Sequence, residues 1–336
     1  MKIRAFISGC AGHSLSTEEL AFFERQHPWG LILFKRNCET HKQVRELVAS
    51  FRRAVGRKDA PVFIDQEGGR VQRIGPPHWR TYPNARAFGK LYAINPGLAL
   101  RSARSVGRLM AEELFDLDVT ASCLPVLDAP QLGAHDVIGN RAYDTRPERI
   151  MSLARSHVAG LIDGGILPVM KHIPGHGRAM VDSHLDLPVV DTSRLELESH
   201  DFVPFTGFAD CPMAMTAHVV YSAIDPDQPA TLSRKVVRNV IRRVIGFNGL
   251  LITDDLSMKA LKGSYKEKAD LAYDAGCDML LHCNGVISEM QEVADSAQVF
   301  NAKIARRAKA AMRLRRKPLP FEQKQALREL EALMSQ

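Results

Sequence analysis

Eight short apolar runs, each four to eight residues long, recur along this 336-residue chain with helix-like segments between them. They are Ile3–Ser8, Gly30–Phe34, Val62–Asp65, Thr120–Leu127, Leu167–His172, Met213–Val219, Leu250–Asp254 and Met279–Cys283. Runs this short and apolar suit strands buried on both faces, and helical crossovers between them make neighbouring strands parallel. A sandwich or a helical bundle would not show that spacing. Eight such units close into a (β/α)8 barrel, so the expected fold is α/β, a TIM-type barrel in a single domain.

Helix starts reinforce the pattern. Ser16 with Glu19, Thr40 with Gln43, Thr145 with Glu148 and Ser193 with Glu196 have the spacing of capping boxes, in which a hydroxyl accepts the N3 amide and the N3 side chain reaches back. The stretch Leu98–Leu117 carries apolar residues along one face and reads as a helix feeding the fourth strand. Beyond Cys283 the chain is helical and basic to Pro318, and a last helix spans Glu322–Met334. The expected partition is a barrel catalytic domain over residues 1–300, with a helical C-terminal extension over 301–336 packed on it.

Composition narrows the function classes. With 45% hydrophobic and 25% charged residues the chain is an ordinary globular one. The opening apolar run is broken by Arg4 and is too brief for an export signal, and no segment approaches the eighteen or so apolar residues of a spanning helix. The six cysteines form no CxxC pair and most sit in apolar stretches, which fits a reducing compartment. A cytoplasmic monomer without membrane insertion is expected. The formal charge of +7 is crowded into Arg234–Arg243 and Lys303–Lys317, where no aromatic residue is interleaved for base stacking. Nucleic acid is therefore not an expected partner; these are solvated helix faces, with a modest attraction for anionic substrates or membrane surfaces as the other reading.

Chemically able side chains sit where the runs end: Asp65, His172, His218, Asp254 and His282. Barrel enzymes build their sites from strand C-termini and the loops that follow. One such residue could merely cap a carbonyl, but five in register point to a site. The densest segment is KHIPGHGRAMVDSHLDLP, Lys171 to Pro188, in which Pro174, Gly175 and Gly177 preclude a regular helix and which carries His172, His176, Asp182, His184 and Asp186. Asp182 lies two residues before His184, close enough in a turn to hold one tautomer of an imidazole that donates a proton in one step and accepts it in the next. The seventh run ends in two adjacent acids, Asp254 and Asp255. Strand side chains alternate, so only one enters the barrel mouth, and the run does not say which. A strand-end carboxylate can attack an anomeric carbon and form a glycosyl ester. The third run leads into Asp65-Gln66-Glu67-Gly68-Gly69-Arg70-Val71-Gln72-Arg73, acids and guanidiniums around a glycine turn, which suit sugar hydroxyls or a surface salt-bridge cluster.

Together the blocks DQEGGRVQR (Asp65 to Arg73), IGNRAYD (Ile138 to Asp144), KHIPGHG with DSH (Lys171 to His184), MTAHVVY (Met215 to Tyr221) and ITDDLSM (Ile252 to Met258) resemble glycoside hydrolase family 3. Within it they resemble the single-domain β-N-acetylglucosaminidases of bacterial cell-wall recycling, in the family's order and across most of the chain. The resemblance implies that Asp254 is the nucleophile and His184 an acid/base on a flexible loop, with Asp182 its partner. Asp65, Arg73, Arg141, Lys171 and His172 would hold the terminal N-acetylglucosamine. It further implies retaining hydrolysis of β-linked N-acetylglucosamine from glycan or muropeptide substrates, especially 1,6-anhydro-muropeptides, without a metal or organic cofactor. One departure is Arg178, where the family commonly has an acid; local loop differences are expected there, with no catalytic group lost.

Three other readings compete. A metal-dependent hydrolase could draw on His172, His176, Asp182, His184 and Asp254, but Pro174-Gly175 breaks the i,i+4 face of helical zinc motifs. A phosphorylase is closer, since a histidine acid/base carries no negative charge to repel phosphate. A non-catalytic glycan-binding barrel would make the acids spectators.

Overall fold

The computed structural model describes residues 2–131, 133, 135–183 and 185–334. Strands β1 (Arg4–Ser8), β2 (Pro28–Leu33), β3 (Val62–Ile64), β4 (Ala121–Ser122), β5 (Leu167–Ile173), β6 (Met213–Thr216), β7 (Leu250–Asp255) and β8 (Met279–His282) form a closed barrel. Each pairs in parallel with its neighbours in sequence, and β8 returns to β1 with Phe6 opposite Leu280. The expected single-domain TIM-type barrel is what the chain forms.

Alternation along the strands decides which side chains reach the site. Leu167 and Val169 of β5, Met213 and Met215 of β6, Leu250 and Ile252 of β7, and Met279 and Leu281 of β8 fill the barrel interior. Met170, Ala214, Leu251 and Leu280 pack outward beneath the helices. Extending the inward set toward the strand C-termini gives Lys171, Asp254 and Cys283, and Phe63 leads in the same way to Asp65. At the opposite end, Ile304, Ala308 and Ala311 of helix Ala302–Met312 join the interior cluster with Trp29 and Phe63 and close the barrel floor. Helix Gln323–Met334 buries Ala326, Leu330 and Leu333 and lies against helix Pro96–Asp116, with Ser105 donating to Glu329 and Gln323 to Glu112.

Several local expectations shift. The fourth run, read as Thr120–Leu127, is regular strand only at Ala121–Ser122. Pro125 has no N–H to give to a ladder, although Leu127 N–H still reaches the Lys171 carbonyl. Likewise the sixth run, read to Val219, stops at Thr216. Of the four expected capping boxes Ser16 and Glu19 form a complete one. Thr40 caps the Gln43 amide, but the Gln43 side chain accepts from Glu39 instead. Ser193 caps Glu196, whose carboxylate is taken by Arg178. Thr145 is not a cap: the helix starts at Pro147, and Asp144 accepts the Thr145 and Arg146 amides just ahead of it. Among the described residues no helix is long and apolar enough to cross a membrane.

Candidate active site

A cavity of about 260 Å³ opens at the C-terminal ends of the strands. One wall is a charge network. Lys171 Nζ donates to Asp65 Oδ1 at 2.8 Å and lies 2.6 Å from Glu67 Oε1. Arg73 reaches Asp65 Oδ2 at 2.9 Å, and Arg141 grips Glu67 with two bonds of 2.8 and 2.9 Å. The turn at Gly68 and Gly69, with φ of +92° and +58°, lets the chain double back so that Arg73 meets Asp65. At Gly68 an added Cβ would also lie 2.2 Å from the Pro83 carbonyl.

Asp65, Glu67, Arg141 and Lys171 are charged at neutral pH. Burial opposes ionisation of Asp65, but Lys171 and Arg73 outweigh it and hold its carboxyl far below the usual range. For Glu67, burial is likewise overcome by Arg141 and Lys171, leaving the carboxyl at about 2. Lys171 is driven upward: burial disfavours its charge, and the two carboxylates more than restore it.

On the facing side β7 presents its paired acids, and their surroundings differ. Asp255 is occupied: Oδ1 accepts the Ser257 and Cys283 amides and Oδ2 the Ser257 hydroxyl at 2.6 Å. Asp254 accepts one bond among the described residues, from the Asp255 amide to Oδ1 at 2.8 Å, leaving Oδ2 without a donor. Its own amide donates to Thr216 Oγ1. Burial would raise the Asp254 carboxyl, but His218, His172, the Asp255 N–H and Lys171 lower it below the ordinary range. Among the described residues it is an ionised carboxylate with one oxygen that accepts no bond.

The loop after β5 begins firmly anchored. The register between β5 and β6 shifts between Met170 and Ile173, so that successive residues Lys171 and His172 both border the cavity. Asp128, fully buried, accepts from His172 Nδ1 at 2.7 Å and from the His176 amide at 2.6 Å, and Tyr221 OH donates to the Gly175 carbonyl. A Cβ on Gly177 would come within 2.2 Å of the Ala129 carbonyl, so the loop runs directly on that backbone. His176 Nε2 meets Ser183 Oγ at 3.1 Å, and burial, aided by neighbouring His172, lowers the His176 imidazole to about 4. Farther on, Arg178 is tied to Asp201 and Glu196, while Met180, Val181 and Leu185 are exposed. His184 lies outside the described residues.

The glycosyl hydrolase family 3 N-terminal domain matches residues 11–315. The chain belongs to glycosyl hydrolase family 3. It is similar to a beta-hexosaminidase of Alkalilimnicola ehrlichii, 39% identical over 313 residues that cover 91% of this chain and 89% of the relative. Native NagZ from Neisseria gonorrhoeae superposes with a TM-score of 0.85 at 33% identity, covering 100% of this chain and 96% of that one. The same values hold for that protein in complex with N-trifluoroacetyl-D-glucosamine. The chain is thus a glycoside hydrolase.

Within this family 3 barrel, Asp65, Arg73, Arg141, Lys171, His172 and Asp254 all border one cavity, and Asp182 sits on the loop beside cavity-lining Ser183. Of the five strand-end residues, His218 and His282 do not line it. Strand parity explains His282, since Met279, Leu281 and Cys283 are the inward set of β8, while His218 lies past the end of β6 at Thr216, beside Ala217, which packs with the outward cluster. His218 instead braces the β7 end, with Nε2 3.0 Å from the Asp255 carbonyl. Two participants were not singled out beforehand. Glu67 follows Asp65 by two positions and shares its face. Asp128 follows the fourth apolar run just as the other strand-end residues follow theirs, and that was the available signal. Among the described residues no three His, Cys, Asp or Glu side chains gather as metal ligands.

Proposed function

We propose that this hydrolase releases terminal, non-reducing β-linked N-acetylglucosamine with retained configuration, through a covalent intermediate on Asp254. One observation carries the reading: Asp254 is ionised, lines the cavity and, among the described residues, keeps Oδ2 without a donor, whereas both oxygens of Asp255 are occupied. Oδ2 attacks the anomeric carbon as the glycosidic bond breaks, and the leaving oxygen takes a proton from His184. A water that gives its proton to neutral His184 then attacks the glycosyl ester, releasing the sugar and the carboxylate. Asp182 orients the imidazole. Asp65, Arg73, Arg141, Lys171 and His172 hold the sugar, ionised carboxylates accepting from its hydroxyls and cations donating to its oxygens. The resemblance of the sequence blocks, the beta-hexosaminidase relatives and the N-trifluoroacetyl-D-glucosamine complex of a similar barrel support this sugar. By the same resemblance, the physiological substrate is a 1,6-anhydro-muropeptide in cytoplasmic cell-wall recycling.

Asp254→Asn is expected to lower turnover of an aryl β-N-acetylglucosaminide on the order of 10⁴-fold or more, with the melting temperature preserved. Mass spectrometry of enzyme trapped with a slow fluorinated substrate should place the sugar on the peptide containing Asp254, and NMR should show the β-anomer first. Initial α-product, or near-native turnover by the variant, would overturn the mechanism.

A further inference from the structure

We propose that the floor of the barrel, opposite the cavity, is a peripheral docking surface for an anionic phospholipid bilayer. The chain's positive charge is localised: Arg234–Arg243 and Lys303–Lys317 contain 13 cations and no acid, and without them the formal charge of +7 would be −6. Helix Ala302–Met312 buries Ile304, Ala308 and Ala311 against the barrel floor, which turns Arg306, Lys309 and Arg313 outward, with Lys317 following on the exposed chain. Inner members of the stretch are already neutralised or bonded. Arg307 and Arg242 share Asp278, and Arg315 donates to the Gly165 and Val119 carbonyls, just ahead of β5 and β4. Arg306, Lys309, Arg313 and Lys317 have no ion-pair partner among the described residues. Four unpaired cations this close repel one another, and an external anionic surface relieves that repulsion.

The flanking chemistry selects lipid over nucleic acid. Neither basic segment contains an aromatic residue on which a base could stack. Instead, large apolar side chains stand out among the cations: Leu314 is 51% exposed and Leu319 44%. A basic surface carrying exposed leucines has the composition of an interfacial anchor, in which cations meet headgroup phosphates while aliphatic groups enter the acyl boundary. Binding through the floor leaves the cavity, at the other ends of the strands, open to the aqueous phase.

The test is flotation of the full chain with vesicles of phosphatidylglycerol and phosphatidylethanolamine, against vesicles of phosphatidylcholine. Binding is expected to the anionic vesicles alone, and to weaken toward about 1 M salt, where the Debye length is roughly 3 Å. Each cation at an anionic surface contributes roughly five-fold in partitioning. The variant Arg306→Glu/Lys309→Glu/Arg313→Glu/Lys317→Glu should therefore lose at least about a hundred-fold, while hydrolysis of a soluble aryl glycoside, which reports on folding, stays unchanged. The milder pair Lys309→Gln/Lys317→Gln should lose about 25-fold, and Leu314→Ser a few-fold at any salt. No flotation at low salt, equal flotation of the charge-reversed variant, or displacement by duplex DNA at matched charge would overturn the assignment.

Discussion

Asp65, Glu67, Lys171 and Asp254 stand on or just past strand ends, enclosed by the barrel, and the first three are locked in ion pairs. A few residues beyond Lys171, the loop carries Met180 at 62% and Leu185 at 68% exposure, although its root at Gly175 to Gly177 is bolted to Asp128, Ala129 and Tyr221. One side of the cavity therefore owes its geometry to the barrel itself, and activity and stability share the same bonds there. On the other side, the loop is held at its root while Met180, Val181 and Leu185 keep much of their surface exposed, so substitutions there are expected to alter chemistry with little effect on the fold. A group that must donate and then accept a proton suits the second environment; a nucleophile that must stay ionised and aimed suits the first.

The sharpest test of that contrast is Lys171→Met. It removes the cation shared by two buried carboxylates, leaving Asp65 with Arg73 and Glu67 with Arg141, and breaking a buried pair costs about 3–5 kcal/mol. For a chain of this length that is a melting point lower by roughly 4–7 °C, together with loss of activity on the order of 10³-fold as the wall proposed to hold the sugar collapses. Calorimetry and kinetics on one preparation read both. A fall in activity with an unmoved melting point would show that the network does not support the fold.

His184→Ala should behave oppositely. Turnover is expected to fall by about 10²–10⁴-fold, with less loss for substrates whose leaving group needs no proton. The melting point is expected within roughly 1 °C of the parent. A drop as large as that of Lys171→Met would erase the distinction between the two sides.

The same contrast explains what could be read from residues alone. The barrel was legible because its strands are buried on both faces and so appear as uninterrupted apolar runs. In the folded barrel, parity also sorts strand-end residues: Asp65 and Asp254 continue the inward series and His282 the outward one, whereas His218 lies past the end of its strand. The run alone leaves Asp254 and Asp255 open; in the folded barrel Asp254 continues the inward face of Leu250 and Ile252, although both acids line the cavity. Glu67 and Asp128 escaped because each lies just past the end of its apolar run, two residues after Asp65 and one after Leu127. The loop offered residue types without geometry: nothing in its composition could say that Asp128 would hold His172 and His176 together, because that contact joins residues more than forty apart in sequence.

Acid titration gives a smaller effect with a definite sign. Glu67 and Asp65 have folded-state values below their unfolded ones, so the stabilisation they give is fully present above about pH 5. It is lost as pH falls toward the folded value, about 2 for Glu67. The melting temperature should be flat from neutrality to about pH 5 and fall steadily below that. In Lys171→Met the fall should be shallower, since the carboxylates have lost the partner that depressed them. Parallel slopes in both proteins would assign acid sensitivity to other groups.

The smallest effect comes from Arg178, the departure from the family pattern, which turns out to be the fastening between root and tip of the loop. Its guanidinium meets both oxygens of Asp201 at 2.9 and 3.0 Å and reaches Glu196 at 2.8 Å. Asp201 is 3% exposed, and burial keeps its carboxyl above the ordinary value even with Arg178 in place and His200 3.6 Å away. Arg178→Ala removes the main charge partner, so the folded value rises further above the unfolded one. An acid shifted in that direction destabilises the fold above its folded value, and the penalty is relieved as pH falls and the group takes up a proton. The variant should lose about 1–3 kcal/mol at pH 8, roughly 2–4 °C in melting temperature, and recover much of the difference near pH 5. Turnover should change only a few-fold, because no group on the reacting atoms is removed. A deficit that stays constant with pH would mean that Arg178 acts by packing alone, and a large loss of turnover would move it from the fastening to the chemistry.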